Sequence, residues 1–348
     1  MKILIVRLGS LGDILQSTSI LPPLYSAYPT ASIDWLVYPY ASPILDRNPY
    51  ISRRIHWGGK SPLRQLGTWL ALKYQRYDMV IVLHRHPMLH RYVASLGISK
   101  RIGWVNPGSK SSSLTVSVDF ELSKSRVQRH HDILLAAGLM SSRVQRATNL
   151  PVYDTVEPLP DELEGRRYIC IAPGGGRNPA SDMPTRRWQG YEALAETLSQ
   201  RDDIDAIVLL GDQADAVMQA QWLKPQAEYL INGMGRYSIP AVAKVLQQSQ
   251  GFVGNDSMLL YLALSQKTPS LGIFGPTSAK ICLPEGEGIR GLQSGVSCSP
   301  CYDPIDHKNS LAFNCPYETR CMAELSVRQV AKEFESLLAH AEARKDAI

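Results

Sequence analysis

Asp13 closes the turn Gly9-Ser-Leu-Gly-Asp13, directly after the apolar run at residues 2–8. A carboxylate where a strand gives way to a helix can take a proton from a bound hydroxyl. It can equally cap the helix or pair with its positive end. With a reference pKa of ~3.9 such a group is ionised at neutral pH, so both roles stay open. A second strand-to-helix junction lies at Gly254-Asn-Asp-Ser257, with Gly275-Pro-Thr277 downstream. There Asp256 or Ser257 can cap a helix whose first N–H groups face a phosphate. A third turn, Pro173-Gly-Gly-Gly-Arg-Asn178, precedes Arg186-Arg187. One cation of that pair could neutralise a diphosphate, or both could be surface charge. The first turn lacks the Gly-x-Gly-x-x-Gly of a dinucleotide site and the Lys-Ser/Thr of a P-loop, which argues against a nucleotide oxidoreductase or a kinase.

Cys298, Cys301, Cys315 and Cys321 fall within 24 residues and begin as a C-x-x-C pair. Four thiolates could hold structural zinc or iron tetrahedrally. Free thiols and disulfides are the alternatives, and four thiolates would leave no open position for catalysis. Cys170 and Cys282 read as packing residues. Of the eight histidines no pair has zincin spacing, and His84, His86 and His90 read only as candidate acceptor contacts.

The net charge of +5 hides an asymmetry: residues 1–150 carry 19 Lys+Arg against 7 Asp+Glu, and the remainder balances at −7. A basic half points to an anionic partner (nucleic acid, an acidic membrane surface or a phosphorylated substrate) or else is solvated surface charge, with Arg53, Arg54, Lys60, Arg64 and Arg85 the cations of interest beside His86. Nucleic acid fits poorly, since no aromatic-interleaved basic cluster or reading module is present. A chain of 348 residues that is 44% hydrophobic and 20% charged suits a globular protein with two cores. No apolar run nears the ~20 residues of a membrane span, and the opening run reads as a strand, not a signal peptide. The expectation is a cytoplasmic protein, peripheral at most to a membrane.

These residues need elements to position them. Strands are expected at 2–8, 32–38, 55–57, 79–84 and 101–104, and helices at 13–28 (kinked at Pro22-Pro23), 62–75, 88–95 and 125–137. A proline-rich linker around 149–160 interrupts the alternation. It resumes with strands at 168–172, 206–210, 252–254 and 270–274. Helices are expected at 188–199, 257–266 and 326–343, with a further helix–strand pair after Gly211. Strands alternating with helices imply parallel βαβ units, hence an α/β fold.

Together these segments resemble the ADP-heptose:lipopolysaccharide heptosyltransferases, glycosyltransferase family 9. The resemblance covers 3–13 with its helix, Ile33-Asp-Trp-Leu-Val37, Arg101-Ile-Gly103, 173–188, 254–277, the cysteine segment and the last helix. It implies a GT-B architecture of two Rossmann-like domains with an interdomain cleft: an acceptor domain over 1–155, a nucleotide-sugar domain over 165–325, and a helix from 326 to 348 crossing back. It implies an inverting glycosyltransferase that needs no catalytic metal and moves a heptose or similar sugar from an ADP-sugar to an anionic glycolipid, such as the lipopolysaccharide inner core. By matching, Asp13 is the general base and Ser10 and Gly12 flank the donor phosphates. Gly175 and Gly176 lie in the donor turn, and Arg186 meets the diphosphate. Asp215 matches the ribose acid, with Asp212 competing, and Asp256, Ser257 and Met258 hold the donor. That last motif usually runs Asp-Ser/Thr-Gly-x-x-His, whereas Met258 and Tyr261 stand here for the glycine and the histidine. A different donor, a protein acceptor or a non-catalytic nucleotide-sugar binder are therefore the rival readings. The cysteine spacing also resembles a metal-binding finger in protein-modifying members.

Overall fold

Continuous apolar runs suit strands covered on both faces, and both sheets of this chain are built from them. The computed structural model describes residues 1–59, 61–140, 157–179, 181–219, 227–306 and 309–345, and the chain divides into Met1–Asp154 and Thr155–Ile348.

The first unit comprises β1 (Lys2–Val6), α1 (Leu11–Ser17), α2 (Leu21–Ala27), β2 (Ser32–Val37), β3 (Arg53–His56) and α3 (Pro62–Tyr74). It continues with β4 (Met79–Val82), α4 (Pro87–Ser95), β5 (Lys100–Val105), β6 (Val116–Asp119) and α5 (Arg126–Ala136). Its strands are all parallel in the order β3-β2-β1-β4-β5-β6. Ile3, Leu4, Ile5 and Val6 of the central strand are wholly buried. The expected helix over 13–28 is interrupted: Thr18–Ile20 tighten into a 3₁₀ turn, and both prolines fall in the first turn of α2. Proline's missing N–H has no intrahelical partner to lose there. At α5 a capping box closes the N-terminus, Ser125 Oγ accepting from Gln128 N–H and Gln128 reaching back to Ser125 N–H.

The second unit repeats the plan. It runs β7 (Tyr168–Ala172), a small hairpin of β8 (Arg177–Asn178) and β9 (Ser181–Asp182), α6 (Tyr191–Leu198), β10 (Ala206–Leu209), α7 (Gln213–Met218) and β11 (Leu230–Asn232). Then follow α8 (Ile239–Gln248), β12 (Phe252–Asn255), α9 (Met258–Ser265), β13 (Ser270–Phe274), α10 (Ala279–Cys282), β14 (Ile289–Gln293), α11 (Arg320–Ala323) and α12 (Val327–Lys345). The sheet is again parallel, in the order β11-β10-β7-β12-β13-β14. Helix α6 starts three residues later than expected because Gly190, not Trp188, caps it. Of the expected linker, residues 149–156 lie outside the described residues.

Helix α12 buries Val330, Phe334, Leu337 and Leu338 in one core with Ile169, Ile171, Ile207 and Leu271 of the second unit. Gly251 makes room for it, since a Cβ there would lie 2.5 Å from Leu338 Cδ2 and 3.0 Å from Phe334 Cζ. The expected return of this helix to the first unit remains a proposal. Truncating the wholly buried Phe334 to alanine should cost about 3–5 kcal/mol, read as a lowered urea midpoint for the second unit. A midpoint within error of the wild type would show that α12 is not part of this core.

Candidate active site

In a doubly wound sheet the strand order reverses once, and the crossovers leaving on either side open a crevice at the carboxyl ends of the strands. Here the reversal lies between β1 and β4 in the first unit and between β7 and β12 in the second. The residues singled out for chemistry follow these strands.

After β1, Asp13 sits in the first turn of α1, its side chain about one-third exposed. Arg7 Nη2 lies 2.6 Å from Asp13 Oδ2, while Arg7 Nη1 donates to the Leu83 carbonyl at 2.6 Å. Arg126, the first residue of α5, meets Asp13 Oδ1 at 3.0 Å. Ser10 Oγ donates to Asp13 Oδ2 at 3.3 Å, and Gly12 is buried in α1. Gly9 is required where it stands, because a Cβ would fall 2.4 Å from the Tyr40 hydroxyl. Burial, then Tyr38 and Asp13, push the Tyr40 phenol above its ordinary range. The loop is pinned from beneath by histidines. His84 Nε2 accepts from Leu8 N–H at 2.9 Å, and Ser17 Oγ meets His130 Nε2 at 3.0 Å. Burial first, and Arg7 next, hold both imidazoles well below their ordinary pKa, so both are neutral. A one-third-exposed carboxylate fixed by two guanidiniums can accept a proton from an approaching hydroxyl, and the guanidiniums can attract an anionic group.

After β7, the glycine turn reaches φ +110° at Gly175 and φ +76° at Gly176, a region glycine enters without steric cost. The turn is stapled to β12 by Asn255, wholly buried. Its Nδ2 donates to the carbonyls of Pro173 and Gly174, each at 2.9 Å. Its Oδ1 accepts from Trp188 N–H at 3.1 Å and the Tyr191 hydroxyl at 2.9 Å. A Cβ on Gly175 would lie 2.7 Å from Ser257 Cβ, so the turn touches the N-cap of α9. Met258 is the first residue of α9.

Asp256 is 2% exposed, with the Tyr261 hydroxyl donating to Oδ1 at 2.6 Å and Arg186 Nη1 at 3.5 Å from Oδ2. The hydroxyl standing in the motif's histidine position is therefore committed to Asp256. The two neighbouring arginines separate clearly. Arg187 binds the Gly175 carbonyl at 2.9 Å and pairs with Asp182. Arg186 Nε and the Thr277 Oγ1 hydroxyl are each buried with no hydrogen-bond partner among the described residues. Such groups carry a desolvation cost that an incoming acceptor oxygen would relieve.

Asp212 and Asp215 form a reciprocal capping box at α7, bridged by Arg177 at 2.7 and 3.1 Å. The Asp215 carboxylate is buried beneath Gly174, where a Cβ would lie 2.2 Å from it, and burial raises its pKa. Burial also acts upward on Asp212, but the Asp215 N–H and Arg177 hold it below the ordinary range.

Several of the other expected cations have partners of their own. Arg53 forks onto the buried Asp34, Arg54 pairs with Asp46, and Arg85 donates to Asn106 at 2.7 Å while stacking on Phe120. Arg64 lies exposed on α3, and His86 caps α4 by accepting from Met88 N–H. Lys60 lies outside the described residues. Cys301 is raised by burial and by Cys315 and Cys298, and Cys321 is pushed up to about 11 by burial and then by the other three thiols. The four are thus neighbours, yet among the described residues no three His, Cys, Asp or Glu converge to hold a metal ion. Their segment folds onto the Gly275-Pro-Thr277 turn, with Cys301 and Tyr302 N–H groups on the Pro276 carbonyl and the Tyr302 ring 5.4 Å from the Arg186 guanidinium.

The sequence model of glycosyltransferase family 9 (heptosyltransferase) matches residues 66–311. The chain belongs to this family. Lipooligosaccharide heptosyltransferase 2 of Haemophilus ducreyi is 26% identical over 308 residues, covering 80% of this chain and 84% of that protein. The solved E. coli ADP-heptose lipopolysaccharide heptosyltransferase II is similar in fold, with a TM-score of 0.71 at 22% identity over 98% of this chain and 100% of that one. E. coli heptosyltransferase WaaC, solved with ADP-2-deoxy-2-fluoro heptose, gives a TM-score of 0.70 at 18% identity, covering 97% and 99%. The α/β fold of this family 9 chain is thus of the GT-B type.

Sequence reasoning missed Arg7, Arg126, Tyr40 and Asn255. Asn255 alone had a local signal, as a buried amide at a strand end inside a motif already singled out.

The neutral histidines imply a pH dependence. Below pH ~6.5 the unfolded chain binds protons that folded His84 and His130 refuse, so stability is full above that value and declines beneath it. The urea midpoint of the first unit should fall between pH 7.5 and 5.5, a window in which ordinary carboxylates stay ionised. A His84→Gln/His130→Gln variant should show a shallower slope, the remainder belonging to His90 and His131, which burial also lowers. A flat wild-type profile would contradict the assignment.

Proposed function

We propose that the chain transfers a heptose, or a similar sugar, from an ADP-sugar to an anionic glycolipid such as the lipopolysaccharide inner core, with inversion at the anomeric carbon. The acceptor hydroxyl oxygen attacks that carbon from the face opposite the diphosphate. The new C–O bond forms as the bond to the β-phosphate oxygen breaks, Asp13 takes the hydroxyl proton, and ADP departs. The observation that carries this reading is the setting of Asp13, held by Arg7 and Arg126 in the first turn of α1. Two guanidiniums stabilise the carboxylate anion, which makes it a weak base that accepts its proton late, as the acceptor oxygen bonds to carbon. They also supply positive charge for an anionic acceptor.

On the donor side, the diphosphate is assigned to the N–H groups at the start of α9, with Arg186 and Thr277 as side-chain donors. The observation that supports this is the unpartnered Arg186 Nε and Thr277 Oγ1. Gly175 and Gly176 let backbone approach the same region. The ribose is assigned to the capping box at α7, where Asp212 is favoured over Asp215 because its side chain is the exposed member of the pair. The leaving group's charge is met by protein cations and N–H groups, so no metal is assigned to the reaction. The cysteine segment is assigned to packing against this turn, and elemental analysis of the purified protein for zinc and iron tests that against a structural metal. No helix among the described residues is long and apolar enough to cross a membrane. The glycolipid is taken to be met at the cytoplasmic membrane face.

Asp13→Ala should lower turnover at least about 10³-fold, while calorimetric affinity for ADP stays within about threefold of wild type. Equal loss of both would make Asp13 structural. Proton NMR of the product should show the inverted anomer, and retention would overturn the single-displacement scheme.

A further inference from the structure

Helix α3 turns an apolar face to solvent. Leu63, Leu66, Leu70 and Tyr74 are 82%, 54%, 54% and 85% exposed. Their spacing of three, four and four residues places them along one stripe of the helix. The other side anchors the helix. Leu72 is buried, Thr68 Oγ1 donates to the His56 carbonyl at 3.2 Å, and Trp69 Nε1 donates to Ser95 Oγ at 2.8 Å. The fold therefore does not need the stripe, and an ordinary surface helix would carry polar residues there.

The sequence around the stripe is one-sided in charge: residues 47–77 contain seven Lys and Arg and no Asp or Glu, although Arg53 and Arg54 pair with Asp34 and Asp46 from outside that stretch. By helical spacing Arg64 and Lys73 flank the stripe on opposite sides. An apolar stripe bordered by cations is the pattern of a helix lying in the plane of a lipid interface, its side chains in the headgroup–acyl boundary and its cations on anionic headgroups. A second copy of the chain is the weaker occupant, because the same basic segment would face itself. We infer that α3 is a docking surface for an anionic lipid bilayer, with Leu63, Leu66, Leu70 and Tyr74 inserted. It draws its use from the glycolipid acceptor proposed above, but binding is measurable without turnover.

The test is co-sedimentation of the full chain with vesicles of phosphatidylcholine alone, or of phosphatidylcholine mixed with phosphatidylglycerol. The chain should bind the mixed vesicles, release as salt is raised, and ignore the neutral ones. Leu66→Ser/Leu70→Ser should lower partitioning at least about tenfold, with an unchanged melting temperature and unchanged turnover on an acceptor sugar stripped of acyl chains. Val217→Ser, equally exposed but on α7, should bind as wild type does. Wild type that ignores anionic vesicles, a double variant that binds them equally, or a lipid-free dimer lost in the double variant would each overturn the inference. Vesicle binding without any sugar transfer would leave the docking surface intact and refute the proposed reaction instead.

Discussion

The reversal of strand order in each sheet is the constraint from which the rest follows. Parallel strands need long crossovers, and where successive crossovers depart to opposite faces the carboxyl ends of two central strands are left uncovered. In the first unit that place is taken by the turn bearing Asp13, and in the second by the glycine turn and the start of α9. Neither turn could stay there by itself. The first is fixed by a backbone N–H donated to a neutral histidine, and the second by one buried amide with four hydrogen bonds. Rigid strands supply the platform, and satisfied polar groups set the loops to within hydrogen-bond tolerance.

Charge is distributed with the same economy. Each candidate carboxylate has its own cationic partner: Arg7 and Arg126 for Asp13, Arg186 for Asp256, Arg177 for the Asp212–Asp215 box. Much of the basic excess read from composition is likewise paired locally, as with Arg53 on Asp34 and Arg54 on Asp46. Along the sequence, the stretch from 47 to 77 around α3 carries Lys and Arg with no Asp or Glu. A net charge thus overstated how many cations are available to a substrate.

The central strands and most helices were legible because their apolar runs and caps are local signals. The strand over 168–172 and the capping box at Ser125 are examples. Two of the four edge strands were not: Val116–Asp119 alternates half-buried and exposed residues, and Ile289–Gln293 is broken by Arg290 and Gly291. Such segments pair on one side only and carry little hydrophobic pattern. Asp13 and Asp256 could be found because a carboxylate at a strand-to-helix turn is itself a pattern. Arg126 could not, since it comes to Asp13 from 113 residues away and only the folded sheet brings α5 beside α1. Tyr261 was noticed as a departure from the motif, yet its commitment to Asp256 depends on a geometry that spacing does not encode. The cysteine spacing did single out four thiols that lie close enough to raise one another's pKa.

The account stands on the second unit's strand reversal being the nucleotide site, and a crystal structure with ADP tests that most directly. The diphosphate should lie within hydrogen-bond distance of the N–H groups opening α9 and of the Arg186 guanidinium. A nucleotide bound instead at the turn bearing Asp13, with the start of α9 untouched, would contradict it.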